Sequence, residues 1–472
     1  MNPENSQSLT RRQVLQSAPL GFGGLALSSI LHKNSRARSP LKAQSPPLHQ
    51  RAKRVIFLFM KGGPSHMDTF DYKPILQRDH GKPLPFDKPK VTFAKTGNLL
   101  ASPWGFKPYG QCGHLVSELF PNVGRHVDDL CFLHSVHGTN SAHGGALLKL
   151  HTGSDNFVRP SMGSWISYGL GTENENLPSF ITICPTLAHG GVQNWSAGFL
   201  PAHHQGSPIG NASITASKAR VRHIQNNRWT SGQQIKQLNL IHKLNQEHRQ
   251  DLNEHNPELE DRIRSFELAF RMQTTMPEAQ DISGESKATR KLYGLENSVT
   301  EDFGHQCLMA RRFAERGVRF IQVTHSDQDV QWDQHGNLRK GHAKKAAQVD
   351  WPIAGLLTDL KTRGLLEDTL VIWGGEFGRT PTVQGPKMDG RDHNPHGFTI
   401  WMAGGGVKGG YRHGSTDEYG YYAQEKPLHI HDFHATLLAL LGIDHEQLTF
   451  RHAGRDFRLT DVHGKIASDI FA

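Results

Sequence analysis

The sequence of 472 residues contains few cysteines, and their spacing argues against one common kind of metal site. The four cysteines lie far apart and form no C-x-x-C pair: Cys112, Cys131, Cys184 and Cys307. Zinc–thiolate sites are usually built from such closely spaced pairs, so we do not expect one here. An oxidising compartment would permit disulfides, but a single sequence does not define their pairing.

The chain also lacks the short signatures of several enzyme classes. It contains no phosphate-binding G-x-x-x-x-G-K-[ST] loop, no G-x-S-x-G and no H-E-x-x-H. These absences argue against P-loop, serine-esterase and zincin chemistry.

Outside its first residues the chain has almost no excess of either charge. The formal net charge is +9, and residues 1–54 hold nine lysines or arginines and one glutamate, so +8 of the total lies there. The remaining chain is close to neutral and shows no basic footprint of the kind that binds nucleic acid. We therefore predict no nucleic-acid partner.

No apolar run is long enough to span a bilayer, except weakly near the N-terminus. Thr10–Gln16 contains two adjacent arginines, and the modest apolar segment Val14–Leu31 follows. This pattern is typical of a twin-arginine export signal and predicts a periplasmic or extracellular protein, with no stable membrane span after signal removal. A disordered basic N-terminus and an uncleaved anchor are the alternatives. We assign residues 1–45 to the signal and linker.

The rest of the chain contains short buried strands separated by helical segments. Apolar runs predict strands at residues 54–60, 130–136, 180–184, 319–323, 370–373 and 398–403. Strands that alternate with helices predict an α/β fold with a doubly wound, mostly parallel sheet. We assign this core to residues 50–215 and 318–465.

Residues 216–317 differ from the core in composition. They are charged and rich in glutamine, with two amphipathic helical stripes. We predict a helical insertion or peripheral subdomain here, and scaffolding is the simplest role for it.

Polar side chains gather where the predicted strands end. Glu376 and Arg379 follow strand 370–373, and His393 and His396 precede the last strand. Open α/β folds bind ligands at the carboxyl edge of their strands, and carboxylates with imidazoles are metal ligands. Glu376 and both histidines are therefore candidate ligands. Arg379 can clamp an oxyanion or, alternatively, form an ion pair with Glu376.

Other strand ends carry further candidates. Asp333 and His335 follow strand 319–323, in a segment that suits a divalent ion or, alternatively, a solvated acidic loop. Asp68 follows the first strand, where it can bind a metal, position substrate or cap a turn.

The strand at 130–136 leads into a glycine-rich segment that opens a helix. Ser141 is a candidate nucleophile or an N-cap, and His143 is a candidate base or ligand. Hydrolysis of a phosphate or sulfate ester needs charge neutralisation and an activated nucleophile, and a divalent ion supplies both. Zn, Mg, Ca and Mn all remain open.

Four segments carry a family resemblance when they are taken together. They are VIFLFMKGGPSHMDTFDYKP, GVRFIQVTHSDQDVQWDQHGNL, TLVIWGGEFGRTP and GRDHNPHGFTIWMAGGGVKGG. In this order they resemble the bacterial domain-of-unknown-function 1501 family, which is related to the alkaline phosphatase and sulfatase superfamily. The resemblance covers about residues 50–465 and implies an exported protein with an alkaline phosphatase-like core.

The superfamily implies roles for particular residues. Its Asp-plus-His loop falls on Asp333 and His335, and its isolated histidine falls on His396, with His393 beside it. Its nucleophile falls within residues 140–143. The resemblance therefore implies one metal site made of Asp333, His335 and His396, and a second site that has lost ligands.

The departures from the superfamily affect the predicted chemistry. Lys61 stands where the first aspartate is expected, and Glu376–Phe377 stands where an Asp-His pair is expected. We hypothesise that the Lys61 ammonium replaces the charge of a lost cation, which makes Lys61 a catalytic candidate. No Cys-x-Pro-x-Arg occurs, which excludes the formylglycine mechanism.

The sequence thus predicts an exported, metal-dependent hydrolase that acts on a phosphate or sulfate ester of a small molecule or polysaccharide. The alternative is a non-catalytic protein on the same fold that binds a polysaccharide or an envelope partner.

Overall fold

The computed structural model describes residues 43–87, 96–225, 228–252, 257–326, 331–384 and 389–472. The predicted export signal lies outside these residues. Within them, no helix combines the length and the apolar character needed to cross a membrane.

Strands and helices alternate along most of the described chain. In chain order the strands are β1 (Arg54–Met60), β2 (Thr96–Leu99), β3 (Phe106–Tyr109), β4 (His114–Ser117), β5 (Leu130–His137), β6 (Phe180–Ile183), β7 (Ser207–Ile209), β8 (Phe320–His325), β9 (Thr369–Gly374), β10 (Gly378–Gln384), β11 (Arg391–Asn394), β12 (Phe398–Ala403), β13 (Arg412–His413), β14 (Ser415–Thr416), β15 (Ala423–Glu425), β16 (Leu428–His429), β17 (Phe450–His452) and β18 (Arg455–Phe457). The helices are α1 (His66–Thr69), α2 (Pro74–Arg78), α3 (His143–Thr152), α4 (Met162–Leu170), α5 (Ser231–Leu252), α6 (Pro257–Gln280), α7 (Lys287–Leu292), α8 (Glu301–Glu315), α9 (Leu338–Thr362) and α10 (Ile430–Leu440).

A mixed central sheet of nine strands organises the part of the chain that the structure describes. The strand order is β13-β5-β12-β9-β1-β8-β6-β7, and β16 also pairs with β5. Strands β9, β1, β8, β6 and β7 run parallel, whereas β12 runs antiparallel between β5 and β9. The predicted α/β, mostly parallel sheet is confirmed. Because β12 is reversed, its start lies at the same edge as the ends of β1, β5, β8 and β9.

Both faces of the sheet are buried, which explains why β1 is apolar from Val55 to Met60. Ile56 and Leu58 pack into a core that contains residues of α8 and α9. Phe57 and Phe59 face the opposite way, into a core that contains residues of α3, α4 and α10. Since each such side chain contributes roughly 1.5–3 kcal/mol by burial, these faces hold the strand ends in place.

The helices of the predicted insertion differ in how far they are buried. Helix α5 exposes Ile235, Leu240 and Leu244 to solvent, whereas α8 buries Phe303 and Phe313 in the core beside the sheet. The boundaries at residues 216 and 317 stay a prediction, but α8 packs as part of the core.

The apolar spacing of Leu115, Leu119 and Val123 predicts a helix over residues 114–127, but the structure has β4 at the start of this segment and a 3-10 helix, Val123–Asp129, only at its end. The chain reverses after Tyr109, so that β4 pairs antiparallel with β3 and Tyr109 faces His114. Strand pairing overrides the local helical spacing here.

Candidate metal centre

Three imidazoles surround the carboxylate of Asp333. The Nε2 atoms of His335 and His393 each lie 3.0 Å from Oδ1, and Nε2 of His143 lies 3.1 Å from Oδ2. These residues come from the segment after β8, from β11 and from the start of α3, so they converge only because these elements meet at one edge of the sheet.

Each imidazole is oriented by an oxygen acceptor at its other ring nitrogen. The Nδ1 contacts are His143 with Glu376 Oε1 at 2.7 Å, His393 with the backbone oxygen of Ser141 at 2.6 Å, and His335 with Gln384 Oε1. Since an oxygen of this kind accepts a hydrogen bond, Nδ1 carries the proton and donates it. In the neutral rings the lone pair of Nε2 therefore faces Asp333.

This donor set fits a divalent cation. A lone pair and a carboxylate oxygen 3.0 Å apart repel one another unless a proton or a cation lies between them. Neighbouring ligands on an ion with bonds of about 2.0–2.1 Å in a tetrahedron are about 3.3 Å apart, close to the distances here. His143, Asp333 and His393 form one group with metal-ligand spacing, and His335, Asp392 and His393 form another. In addition, the Nε2 atom of His143 is buried without a well-directed hydrogen bond among the described residues.

The charges in the cluster shift the proton affinities of its members. Burial lowers the pKa of His143, but the carboxylates of Asp333 and Glu376 outweigh it and raise that pKa to about 9. Burial also lowers the pKa of His393, to about 4. Burial raises the pKa of Asp333, but Arg379 and the histidines hold it far below its usual range. Without a cation, the cluster thus holds a carboxylate and an imidazolium, and a bound cation would displace the His143 proton.

Glu376 positions His143 and does not reach the centre of the cluster. Its side chain is fully buried, and it accepts hydrogen bonds from the backbone N–H of Gly62 at 2.9 and 3.2 Å. A carboxylate that holds the distal nitrogen of a metal-binding histidine is a common arrangement around metal sites. The predicted ligand Glu376 is therefore an orienting group in this structure.

Close backbone packing puts the carboxylate segment against the turn after β1. Gly62 has a φ of +107°, and a Cβ there would lie 2.8 Å from the backbone nitrogens of Trp332 and Asp333. Trp332 is fully buried and donates its backbone N–H to the oxygen of Lys61 at 3.2 Å. Only glycine permits this approach, so the turn and the segment carrying Asp333 are fixed together.

Arg379 is not placed to clamp a substrate. Its side chain is fully buried, and its guanidinium contacts Asp333 Oδ1 at 2.7 Å and backbone oxygens that include that of Gly63 at 2.9 Å. The alternative ion pair with Glu376 is not its contact either. Because its described contacts are with protein groups, Arg379 acts as a buried support that keeps Asp333 ionised.

Asp68 is not placed to bind a metal. Both its oxygens are bound by the guanidinium of Arg391, at 2.7 and 3.1 Å, and both side chains are fully buried. A guanidinium has no lone pair to share with a cation, so this pair is structural.

His396 lies apart from the cluster. Its ring faces Tyr421 and Tyr422, with ring centroids 6.2 and 5.6 Å away, and it belongs to neither group with metal-ligand spacing found in the described residues. The neighbouring His393, and not His396, contacts the Asp333 carboxylate in this structure. Two residues, Asn394 and Pro395, separate them along the chain, and the path from β11 to β12 turns there.

Ser141 and Lys61 lie at the same edge of the sheet. Ser141 contacts the cluster through its backbone oxygen, and the N-cap of α3 is Ala142, so the alternative of a Ser141 cap is wrong. The Lys61 ammonium is buried and lies 3.5 Å from Thr186 Oγ1. The nucleophile and charge-replacement roles of these two residues stay predictions.

Sequence reasoning missed several participants. Asp392 is fully buried next to His393 in β11. Gln384, at the end of β10, accepts a hydrogen bond from Nδ1 of His335. His189 stacks on His143 with ring centroids 5.1 Å apart and an interplanar angle of 16°. Adjacency to His393 was a usable signal for Asp392, but only the β10–β11 pairing reveals Gln384.

The cluster is open to solvent on one side. The side chains of Asp333 and His335 are 22% and 29% exposed, whereas that of His393 is 7% exposed. A structural metal site is normally closed, whereas a catalytic one keeps a position open to water or substrate. The geometry therefore suits a site that a ligand can enter.

Comparison with known proteins places the chain in a family. A family model described as "Protein of unknown function (DUF1501)" matches residues 52–471, nearly the whole chain. The chain belongs to the DUF1501 family. A search of curated proteins found no match.

Several solved structures share a distant likeness with this DUF1501 protein. The PsFucS1 sulfatase from Pseudoalteromonas sp. is 12% identical, with 90% of this chain and 72% of that chain covered and a TM-score of 0.35. The phosphonate monoester hydrolase SpPMH from Silicibacter pomeroyi is 11% identical, with 68% of each chain covered and a TM-score of 0.34. The alkaline phosphatase from the Antarctic bacterium TAB5 is 9% identical, with 77% and 92% covered and a TM-score of 0.31. Likeness this low assigns no activity to the chain.

Proposed function

We propose that this protein is an exported, metal-dependent hydrolase that cleaves a phosphate or sulfate ester of a small molecule or polysaccharide without a formylglycine. One observation carries the proposal: three imidazoles direct Nε2 at the Asp333 carboxylate while their Nδ1 atoms are held by oxygen acceptors. The motif resemblance to the alkaline phosphatase and sulfatase superfamily supports the reaction class.

The donor set favours a borderline ion over a hard one. His143, His335 and His393 offer nitrogen, whereas Mg²⁺ and Ca²⁺ take oxygen ligands almost exclusively. Zinc is therefore the preferred ion among the four candidates, since manganese, like Mg²⁺ and Ca²⁺, suits oxygen ligands better. When bound, such an ion supplies positive charge for an ester oxygen and lowers the pKa of water.

The chain's own residues supply orientation and electrostatics. Glu376 fixes the His143 ring, and Arg379 keeps Asp333 ionised from the buried side. Lys61 adds a buried positive charge at the same edge, which favours a substrate that carries an anionic group. Ser141, two residues before His143, is the proposed nucleophile.

Metal analysis and turnover together test this function. The full-length protein, purified without chelator, is expected to contain about one equivalent of a divalent metal, with zinc preferred, and to hydrolyse at least one member of a panel of aryl phosphate and aryl sulfate esters. The Asp333→Asn variant is the matched control and should lose both properties. Turnover that persists in Asp333→Asn, or in protein stripped of metal, would refute the proposal.

Export needs its own experiment because it depends on residues outside the described structure. We expect the wild-type chain in the periplasmic or extracellular fraction, and a double substitution Arg11→Lys, Arg12→Lys to retain it in the cytoplasm. Equal export of the two forms would refute the twin-arginine route but leave the hydrolase proposal intact.

A non-catalytic binding protein is the second candidate, and one observation favours it. The Phe377 ring stacks on His393 with centroids 4.4 Å apart and lies 4.9 Å from the ring of His143. The superfamily resemblance implies an imidazole ligand at that position, so a second cation would have one ligand fewer. Bound metal without turnover on any ester would favour this candidate.

A further inference from the structure

A separate cavity of about 280 Å³ lies at the C-terminal end of α3. Its walls come from the end of α3, the segment 153–160, the start of α10 and the segment around β18. Basic side chains dominate its charged lining: Lys149, Arg159, His431, Arg455, Arg458 and His463.

Three of these six basic side chains already have acidic partners. The ion pairs are Lys149–Asp155 at 3.2 Å, Arg458–Glu446 at 3.2 Å and Arg455–Asp461. Arg159 differs from them, since the described structure gives its guanidinium no hydrogen bond and no ion pair. Its N–H groups therefore have capacity for an anion.

Phenylalanine rings hold the Arg159 guanidinium in place. Its central carbon lies 4.2 Å from the ring centroid of Phe457, 5.4 Å from that of Phe157 and 6.0 Å from that of Phe199. A guanidinium stacked on an aromatic face keeps its N–H groups at the edge, free to bind an anion in a forked geometry. The stacking also reduces the conformational entropy that a ligand would have to remove.

The same cavity offers a surface for a hydroxyl-rich ring. Phe157 is 64% exposed, so an accessible aromatic surface lies beside the guanidinium. Ser154 and Asn156, from the same segment, add a hydroxyl and an amide to the lining. An aromatic surface beside short polar side chains and an available guanidinium matches a sugar that carries an anionic substituent better than it matches a bare inorganic anion.

We propose that this cavity binds a sulfated or carboxylated sugar unit, with the anionic group on the edge of Arg159 and the sugar ring against Phe157. The cavity is distinct from the metal centre. His143 begins α3 and Gly153 follows its end, and a helix of ten residues spans about 15 Å. Binding here therefore goes beyond the hydrolase proposal and does not depend on it.

Equilibrium binding to metal-stripped full-length protein tests the site without catalysis. The probes are sulfated maltohexaose, unsulfated maltohexaose, inorganic sulfate and adenosine monophosphate. We expect the sulfated hexasaccharide to bind at least tenfold more tightly than each of the other three. Arg159→Met keeps an unbranched apolar chain over Phe457 without the charge, and it should weaken that binding about 10- to 100-fold. Arg159→Lys should recover only part of the affinity, since an ammonium lacks the fork.

Matched controls separate this site from general surface charge. Arg125→Met removes an exposed charge outside the cavity and should leave the affinity unchanged, and Asp333→Asn should do the same. Comparable melting temperatures would show that Arg159→Met is folded, and Phe157→Ser provides a second variant that should also weaken binding. Equal binding of sulfated and unsulfated hexasaccharide, equal binding of inorganic sulfate or the nucleotide, or an unchanged affinity in both cavity variants would overturn the proposal.

Discussion

Asp333 and Asp68 are two carboxylates near the same edge of the sheet with opposite surroundings. Asp68 is fully buried, and Arg391 binds both of its oxygens. Asp333 is partly exposed, with three imidazole nitrogens and one guanidinium around it. A guanidinium satisfies a carboxylate completely, whereas a neutral imidazole presents a second lone pair to the same space. Whether a carboxylate can hold a cation therefore depends on the side chains around it, which are imidazoles at Asp333 and a guanidinium at Asp68.

Removing the carboxylate of Asp333 should have the largest effect on metal binding. In Asp333→Asn the cluster loses its anionic ligand, and the metal affinity should fall by more than about 100-fold, since even an outer-shell change costs about 10–100-fold. Competition with a chromophoric chelator measures the affinity of both forms. A wild-type affinity in the variant would show that the ion lies elsewhere.

Breaking the Asp68–Arg391 ion pair should lower the stability of the fold and leave the metal in place. Asp68→Asn leaves the buried Arg391 without its counter-charge, which costs about 3–5 kcal/mol in the free energy of unfolding. Denaturant unfolding measures the loss, and the folded variant should keep its metal. A loss below about 1 kcal/mol, or loss of the metal alone, would contradict the structural role.

The stability that the Asp68–Arg391 pair contributes should change with pH in one direction. Burial raises the pKa of Asp68, but Arg391 outweighs burial and holds that pKa below its usual value. The stability from the pair is thus present above the ordinary aspartate pKa and is lost as the pH falls through the lower value in the folded state. The difference in stability between wild type and Asp68→Asn should therefore shrink in acid.

Changing Glu376, the carboxylate that orients His143, should have an intermediate effect on metal affinity. Glu376→Gln keeps the size of the side chain but removes the charge that holds the His143 ring, so the metal affinity should fall about 10- to 100-fold. Competition with a chromophoric chelator measures the change. An effect as large as that of Asp333→Asn would instead make Glu376 a direct ligand.

Substitution of His396 is expected to have the smallest effect on metal affinity. The structure places its ring against Tyr421 and Tyr422, so His396→Ala should leave metal affinity unchanged within error, whereas His335→Ala should weaken it. The same chelator titration on both variants compares the ligand that the family resemblance implied with the one that the fold presents. Weakening in His396→Ala equal to that in His335→Ala would restore the sequence-based prediction.

The sequence alone determined the α/β class, the principal strands of the sheet and the placement of Asp333, His335, His393 and His143 near strand ends. These follow from local patterns: a strand buried on both faces is mainly apolar, and most of the predicted site residues follow the end of such a strand. It also indicated helical spacing at residues 114–127, where strand pairing prevailed.

Only the tertiary structure decided which polar residues share a site. It placed Gln384 and Asp392 beside the histidines of the cluster. It showed that Asp68 and Arg379 make structural contacts with other protein groups. It also showed that His396 lies apart from His393. It also assembled the surroundings of Arg159 from segments far apart in the chain. The direction of a side chain and the identity of its partner depend on strand order, register and turns, and these are set by contacts between residues distant in sequence.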